Sequence, residues 1–365
     1  MEKTFNKRQY LLLTACAEKG DFSDWNSYVG STEDLIDLRE ANLENLKIVG
    51  AKFQNAQGEG ANFNEAILTG AVLDGVDLSG SHFLNAELTG VKVSGSAFHD
   101  CIFDRAKLSA GTFTMCNFNG SRFHSAKLVS VEFWESNFQD STFYAADLSD
   151  AKFYGGGYNP IARKELRFNL FGTSFKNAKF TSSTYFHLAN VSRETDFRIT
   201  SFESACYSTG LRQSLQYCNR RHNWNDWCEN NGVVKGLLVK MFWLASDYGR
   251  SPNRVIISFF SISLIYTLLY FLFPLLTSEG NLSFIRSFYF SVVTMTTLGF
   301  GDIYANKISW LSQLVLVTHV FFGYILLGAL LTVLSNLFTA DGPSQGLAKH
   351  PGKNKNRITF SLSKL

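Results

Sequence analysis

Nine consecutive residues, Thr294-Met295-Thr296-Thr297-Leu298-Gly299-Phe300-Gly301-Asp302, are equipped to do cation chemistry with backbone oxygens. Glycines at 299 and 301 open alternate positions to conformations closed to bulky side chains. The carbonyls of Thr297, Leu298, Gly299, Phe300 and Gly301 can then all point at one axis. The Thr297 hydroxyl can add a ligand at the inner end. Acid/base chemistry has no comparable footing, because His82, His99, His124 and the neighbouring carboxylates stand singly on outward positions. Cys218, His222 and Cys228 lack a fourth ligand and a second cysteine pair, so they read as part of a helical segment and not as a zinc site.

A strand of this kind needs rigid elements on both sides. Val255 to Leu276 runs 22 residues without a charge, enough to cross a hydrocarbon core of about 30 Å at about 1.5 Å per helical residue. A second uncharged stretch runs from Ile308 to Phe338, and between the two lies an aromatic, amphipathic run of helical length, Phe284 to Met295. Two spanning helices therefore bracket a half-membrane hairpin. Lys235, Lys240, Arg250 and Arg254 precede the first span and Lys349, Lys353, Lys355 and Arg357 follow the second, against Arg286 and Lys307 between them. This asymmetry places both termini in the cytoplasm.

The Thr294–Asp302 run, set between two spans and behind a candidate pore helix, resembles the selectivity filter of potassium channels, with its TVGYG core. The resemblance implies that four such strands from four chains replace the hydration shell of a potassium ion, making the assembly a homotetramer with K+ as permeant ion and no cofactor. Two departures stand out. The filter aromatic is Phe300 where tyrosine is common, and Phe290 occupies the pore-helix position where relatives often carry its tryptophan partner. Donor and acceptor are lost together, which leaves an apolar contact and no orphaned polar group. Val293 stands where some relatives carry a glutamate behind the filter, so Asp302 is expected to turn to Tyr289. Thr296, Asp302, Tyr289 and Phe290 are thus the expected filter supports.

Gating candidates lie on the second span. Gly323 and Gly328 resemble the glycines about which inner helices of this family bend, although glycine also serves close helix packing. His319, one turn before Gly323, is an ionisable residue within the membrane, read either as a proton sensor or as a neutral histidine bonded to a neighbouring helix. Neither span carries an arginine at every third position, so steep voltage gating is not expected. Gly236 to Tyr248, with Phe242 and Trp243, reads as an interfacial helix that could link the preceding domain to the first span.

The N-terminal half carries a different signal. Stepping by five from Leu38 to Phe153, 23 of 24 positions are Leu, Ile, Val or Phe, and only Gly58 departs. Two residues earlier, from Ala41 to Ala151, 19 of 23 positions are Ala, Ser, Gly or Cys. A five-residue step advances an α-helix by about 140°, and strict strand alternation also fails over this length. The chain must turn every five residues, stacking large and small residues inward as a solenoid. Runs such as Ala41-Asn42-Leu43, Ala61-Asn62-Phe63 and Ala146-Asp147-Leu148 resemble the pentapeptide-repeat family. The resemblance implies a right-handed, quadrilateral β-helix of six coils, roughly 29 Å long at about 4.8 Å per coil. The phase breaks at Gly155-Gly156-Gly157 and Pro160 and resumes imperfectly, as an inserted loop and a ragged end would make it. Open β-helix ends need caps, which a helix over Asn6–Glu18 and a helical stretch from Ser208 to Tyr248 would supply.

Composition agrees with this division. The 365 residues have a mean hydropathy of -0.02 and a net charge of +3, too small for a chain-wide nucleic-acid interaction, and none is expected. Between 38 and 153, 14 acidic residues face 9 basic ones, a mild balance for the DNA mimicry known among pentapeptide-repeat proteins. The near-neutral mean adds two opposite compositions. Twelve of the 34 Phe fall on the period-five positions and eleven more between Val255 and Phe338.

The expected architecture is a mixed multidomain chain: a helical cap at 1–37, a pentapeptide-repeat β-helix at 38–206 (regular to 153, interrupted over 154–169), a helical linker at 207–254, an all-α two-span pore at 255–338 and a basic cytoplasmic tail at 339–365. The expected function is passive potassium conduction across the inner (plasma) membrane, with no enzymatic step. Partners are three further copies, the lipid bilayer and an unidentified cytoplasmic protein or ligand on the solenoid. A second reading keeps the solenoid as a membrane-anchored scaffold for a protein partner, with a silent or weakly selective pore.

Overall fold

The computed structural model describes residues 5–156, 158–159, 164–165, 168–208, 210–230, 232–247, 251–296 and 303–339. The chain divides into two compact units at His222/Asn223.

In the first unit, parallel bridges join every fifth residue to the one 20 positions later, from Asp37↔Gln57 and Asn42↔Asn62 through Lys127↔Asp147. Four pentapeptides therefore make one coil, and the coil is four-sided. The ladder widens into short strands on one face: β1 (Lys92–Ser94), β2 (Thr112–Thr114), β3 (Glu132–Trp134) and β4 (Lys152–Tyr154), each pairing in parallel with the next. After β4 the offset rises to 32, as in Asn137↔Asn169, because the chain makes an excursion that contains an antiparallel pair, β5 (Tyr158–Asn159) and β6 (Lys164–Glu165). The last coils comprise β7 (Phe168–Leu170), β8 (Tyr185–His187), β9 (Ala189–Val191) and β10 (Cys206–Tyr207), with β7 on β9 and β8 between β4 and β10.

Period-five residues fill the interior, where Phe63, Phe83, Phe103, Phe123 and Phe143 form a column of near-parallel rings 4.6–5.0 Å apart. Gly58 interrupts the apolar column because Leu78, one coil on, already occupies the space: a Cβ on Gly58 would lie 2.7 Å from Leu78 Cδ2. The small inward residues also do polar work. The hydroxyls of Ser81, Ser121 and Thr184 donate to the carbonyls of Gly58, Phe98 and Leu148 on the preceding coil, so burial leaves no orphaned hydroxyl there.

Two helices close the start of the solenoid. Helix α1 (Lys7–Lys19) is capped by the Asn6 side chain, which accepts from the Arg8 and Gln9 amides. Helix α2 (Ser23–Ser31) buries Trp25 completely, and its indole donates to the Lys52 carbonyl at 2.8 Å. At the other end α3 (Leu211–Asn230) buries Leu211 and Leu215 in the same core. The Cys218 thiol donates to the Ser192 carbonyl at 3.1 Å.

The second unit is helical: α4 (Val233–Ser246), α5 (Pro252–Leu272), α6 (Phe284–Met295) and α7 (Trp310–Thr339). Ser251 caps α5 with Pro252 in its first turn, and Ser283 caps α6. Arg254 ties α4 to α5, lying 5.3 Å over the Trp243 ring and 3.7 Å from Asp247. Helices α5 and α7 are long and apolar enough to cross a membrane, yet only 28% and 17% of their most apolar windows are buried within the chain. A core helix of a water-soluble domain would be mostly buried; these leave apolar surface for lipid or neighbouring subunits.

Candidate functional site

The site is the hairpin between α5 and α7. Helix α6 ends at Thr296, whose hydroxyl donates to the carbonyls of Val292 and Val293 at 2.9 and 3.2 Å. Beyond it, Thr297, Leu298, Gly299, Phe300, Gly301 and Asp302 lie outside the described residues. The next described residues pack against the hairpin. Ile303 is buried, Ser278 N–H donates to the Tyr304 carbonyl at 2.8 Å, and Thr277 bridges Ala305 antiparallel. The Ser312 hydroxyl of α7 donates to the Leu276 carbonyl and accepts from the Asn306 amide. Thr296 on one side and Ile303 to Ala305 on the other are thus held by α6, α7 and the Thr277–Ser278 segment.

Phe290 is buried, its ring 4.9 Å from that of Tyr270 on α5. The preceding residue, Tyr289, is 41% exposed. Met295 is fully buried at the crossing of all three helices; the Ser263 hydroxyl donates to its sulfur at 3.1 Å. Gly323 of α7 packs against the same point. A Cβ there would meet the Met295 carbonyl oxygen and lie 2.8 Å from the Met295 Cα. Gly328, by contrast, has no atom within 4 Å of a built Cβ.

His319 is fully buried and touches both other helices. Its Nδ1 lies 3.1 Å from the Tyr270 hydroxyl on α5 and its Nε2 lies 3.2 Å from the Ser291 hydroxyl on α6. The Tyr266 ring stacks on the imidazole with centroids 3.8 Å apart. The sequence reading singled out His319 without its partners. A signal was present: Tyr266 and Tyr270, and Ser287 and Ser291, are polar residues four apart in apolar helices, where an unpaired polar group is costly.

Residues 254–340 match the family described as ion channel, and residues 36–155 match pentapeptide repeats in eight copies. Neither is an enzymatic family. No curated protein matches the chain. Solved structures similar to it include QnrB1, a plasmid-mediated fluoroquinolone resistance protein, at 16% identity, covering 41% of this chain and 78% of that one, with a TM-score of 0.26. HetL, a pentapeptide repeat protein involved in heterocyst differentiation regulation in the cyanobacterium Nostoc, is 14% identical, covering 50% of this chain and 94% of that one, with a TM-score of 0.26. A pentapeptide repeat protein from the Arabidopsis thaliana thylakoid lumen is 21% identical, covering 33% and 84%, with a TM-score of 0.16. This chain joins a pentapeptide-repeat domain to a two-span ion-channel domain.

Proposed function

We propose that four copies of the chain assemble around one axis as a potassium-selective channel of the plasma membrane, with both termini in the cytoplasm. Potassium passes down its gradient through the carbonyls of Thr297, Leu298, Gly299, Phe300 and Gly301, with the Thr297 hydroxyl at the inner end. The observation that carries this reading is the Thr294–Asp302 motif, which begins in the last turn of α6 and precedes the longer apolar helix α7. The C-terminal end of α6 bears a partial negative charge that favours a cation. Thr296, Tyr289, Phe290 and Asp302 support the filter, and Gly323, Gly328 and His319 on α7 are the candidates for a role in opening.

Purified protein in planar bilayers, recorded in potassium against sodium gradients, tests the proposal. The expected result is a current whose reversal potential follows potassium and which Gly299→Ala reduces or renders unselective. Absence of current across voltage, pH and lipid conditions, with potassium flux indifferent to Gly299→Ala, would leave the membrane-anchored scaffold. Asp302→Asn should change current decay under sustained opening; unchanged decay would remove its carboxylate from filter support.

A further inference from the structure

The solenoid carries an aromatic cleft on its outer surface. Taking the residue that follows each period-five position, from Arg39 to Tyr154, only Trp134, Tyr144 and Tyr154 are Phe, Tyr or Trp. All three lie at the end of the regular array, and the ladder brings two of them together: Trp134 pairs with Tyr154 across β3 and β4, and Tyr154 with His187 across β4 and β8. The Trp134 and Tyr154 rings stack with centroids 4.1 Å apart. Tyr185 stands at 64° to Tyr154, its ring 5.8 Å away, and the Tyr185 hydroxyl bonds His187 Nδ1 at 3.0 Å, which fixes the second wall. The cleft has a volume of about 540 Å³, and Glu135, Gly155 and Gly156 also line it. It opens where the chain leaves the regular array for its excursion.

The charges around the cleft select a ligand class. Glu132 is already neutralised, accepting from Lys152 at 3.0 Å and from the Trp134 indole at 3.3 Å. Among the described residues Glu135 makes no ion pair, and no cationic side chain lies over the Trp134, Tyr154 or Tyr185 rings. Ring faces carry the negative part of the aromatic quadrupole, and two walls at a steep angle surround a cation better than one. We propose that this cleft binds a small organic cation, an ammonium group bearing methyl or methylene carbons, with its charge toward Glu135 and its carbons against Trp134, Tyr154 and Tyr185. A neutral ligand would leave the Glu135 charge unanswered, and an anion would be repelled by it. The site lies wholly in the repeat domain and stands or falls independently of potassium conduction.

Full-length protein in detergent, titrated with choline and with its uncharged isostere 3,3-dimethylbutanol, provides the test by calorimetry and tryptophan fluorescence. Choline is expected to bind saturably and the isostere at least about fivefold more weakly. Glu135→Gln should weaken choline by about fivefold, Tyr154→Leu by more, and Tyr154→Phe, which keeps the ring and guards against a folding defect, should retain binding. Trp134→Phe should lose most of the fluorescence response while calorimetric binding persists. Equal binding of choline and the isostere would overturn the proposal. So would choline binding indifferent to both Glu135→Gln and Tyr154→Leu, which would assign the cation to another part of the chain.

Discussion

The Tyr270 hydroxyl and His319 Nδ1 lie 3.1 Å apart at the buried junction of α5, α6 and α7. The direction of that bond follows from its neighbours. Ser291 donates its proton to the Ser263 carbonyl at 2.8 Å, so its oxygen accepts from His319 Nε2–H, and Nδ1 is left to accept from Tyr270. Imidazole in this tautomer is neutral, and every member of the chain is satisfied.

Tyr270→Phe keeps the ring against Phe290 but leaves His319 Nδ1 unpaired in an apolar setting. Interhelical hydrogen bonds in membranes are worth about 0.6 kcal/mol on average and up to about 1.7 kcal/mol. A double-mutant cycle of Tyr270→Phe and His319→Leu, read from thermal unfolding of the detergent-solubilised protein, should give a coupling in that range. A coupling of zero would remove the bond from the helix junction.

Gly323 and Gly328 should separate by substitution. A methyl at 323 meets the backbone of Met295, which cannot turn aside as a flexible side chain would. Gly323→Ala is therefore expected to destabilise the α6–α7 packing by about 1–3 kcal/mol, the usual cost of overpacking. Gly328→Ala meets nothing within 4 Å inside the subunit and gains about 1 kcal/mol of helix propensity. Size-exclusion profiles and melting temperatures of the two variants measure the difference. A Gly323→Ala protein as stable as wild type but altered in opening would assign the glycine to bending and not to close packing.

The solenoid was legible because one side of every pentapeptide is dry, so a five-residue period had to survive in the sequence. Twenty-three apolar residues in 24 positions fix the turn frequency, and the matching bridges at offset 20 give the four-sided coil. Less legible was the backbone at the corners. From Glu40 to Asp150 every fifth residue has positive φ, yet Glu65, Arg105, Met115 and Glu135 occupy such corners where glycine would be easiest. Ladder bonds on both sides over-determine these corners, so composition there is free to drift. Helix α2 was hidden for a similar reason: nine residues with one buried tryptophan have no period to read. In the channel unit, length and charge located the spans. The partners of His319 could not be paired from spacing, since Tyr270 lies 49 residues away.

The exception at Gly58 makes a packing prediction. Leu78 fills the space that a larger residue at 58 would take, so Leu78→Ala opens a cavity that Gly58, having no side chain, cannot fill. Such truncations cost about 2–5 kcal/mol, and the loss should appear locally. Hydrogen exchange at the amides of Gly58, Phe63 and Leu78, all bonded to the next coil, should quicken in Leu78→Ala. Adding Gly58→Val should slow it again. If the double variant exchanges faster than Leu78→Ala, the two positions do not share one space.

Acid should loosen the last coils first. Burial pushes the Asp196 carboxyl upward, but hydrogen bonds from the Arg198 side chain and amide, with the charges of His222 and Arg198, outweigh it and hold the group below the usual carboxylate range. The two side chains are almost completely shielded, with the guanidinium 2.8 Å from the carboxylate. A folded-state value below the unfolded one means that the pair's contribution is complete above about pH 4 and is lost as pH falls through the folded-state value. Asp196 also bridges Ser174 on the preceding coil, and its amide donates to the Thr173 carbonyl at 3.0 Å. Protection of the Asp196 and Phe175 amides should therefore fall below about pH 4 while that of the inner coils persists. Asp196→Asn should lower protection at neutral pH, by removing the charged partner 2.8 Å from the Arg198 guanidinium, and flatten the acid dependence. If Asp196→Asn keeps the wild-type acid profile, another carboxylate governs the opening of these coils.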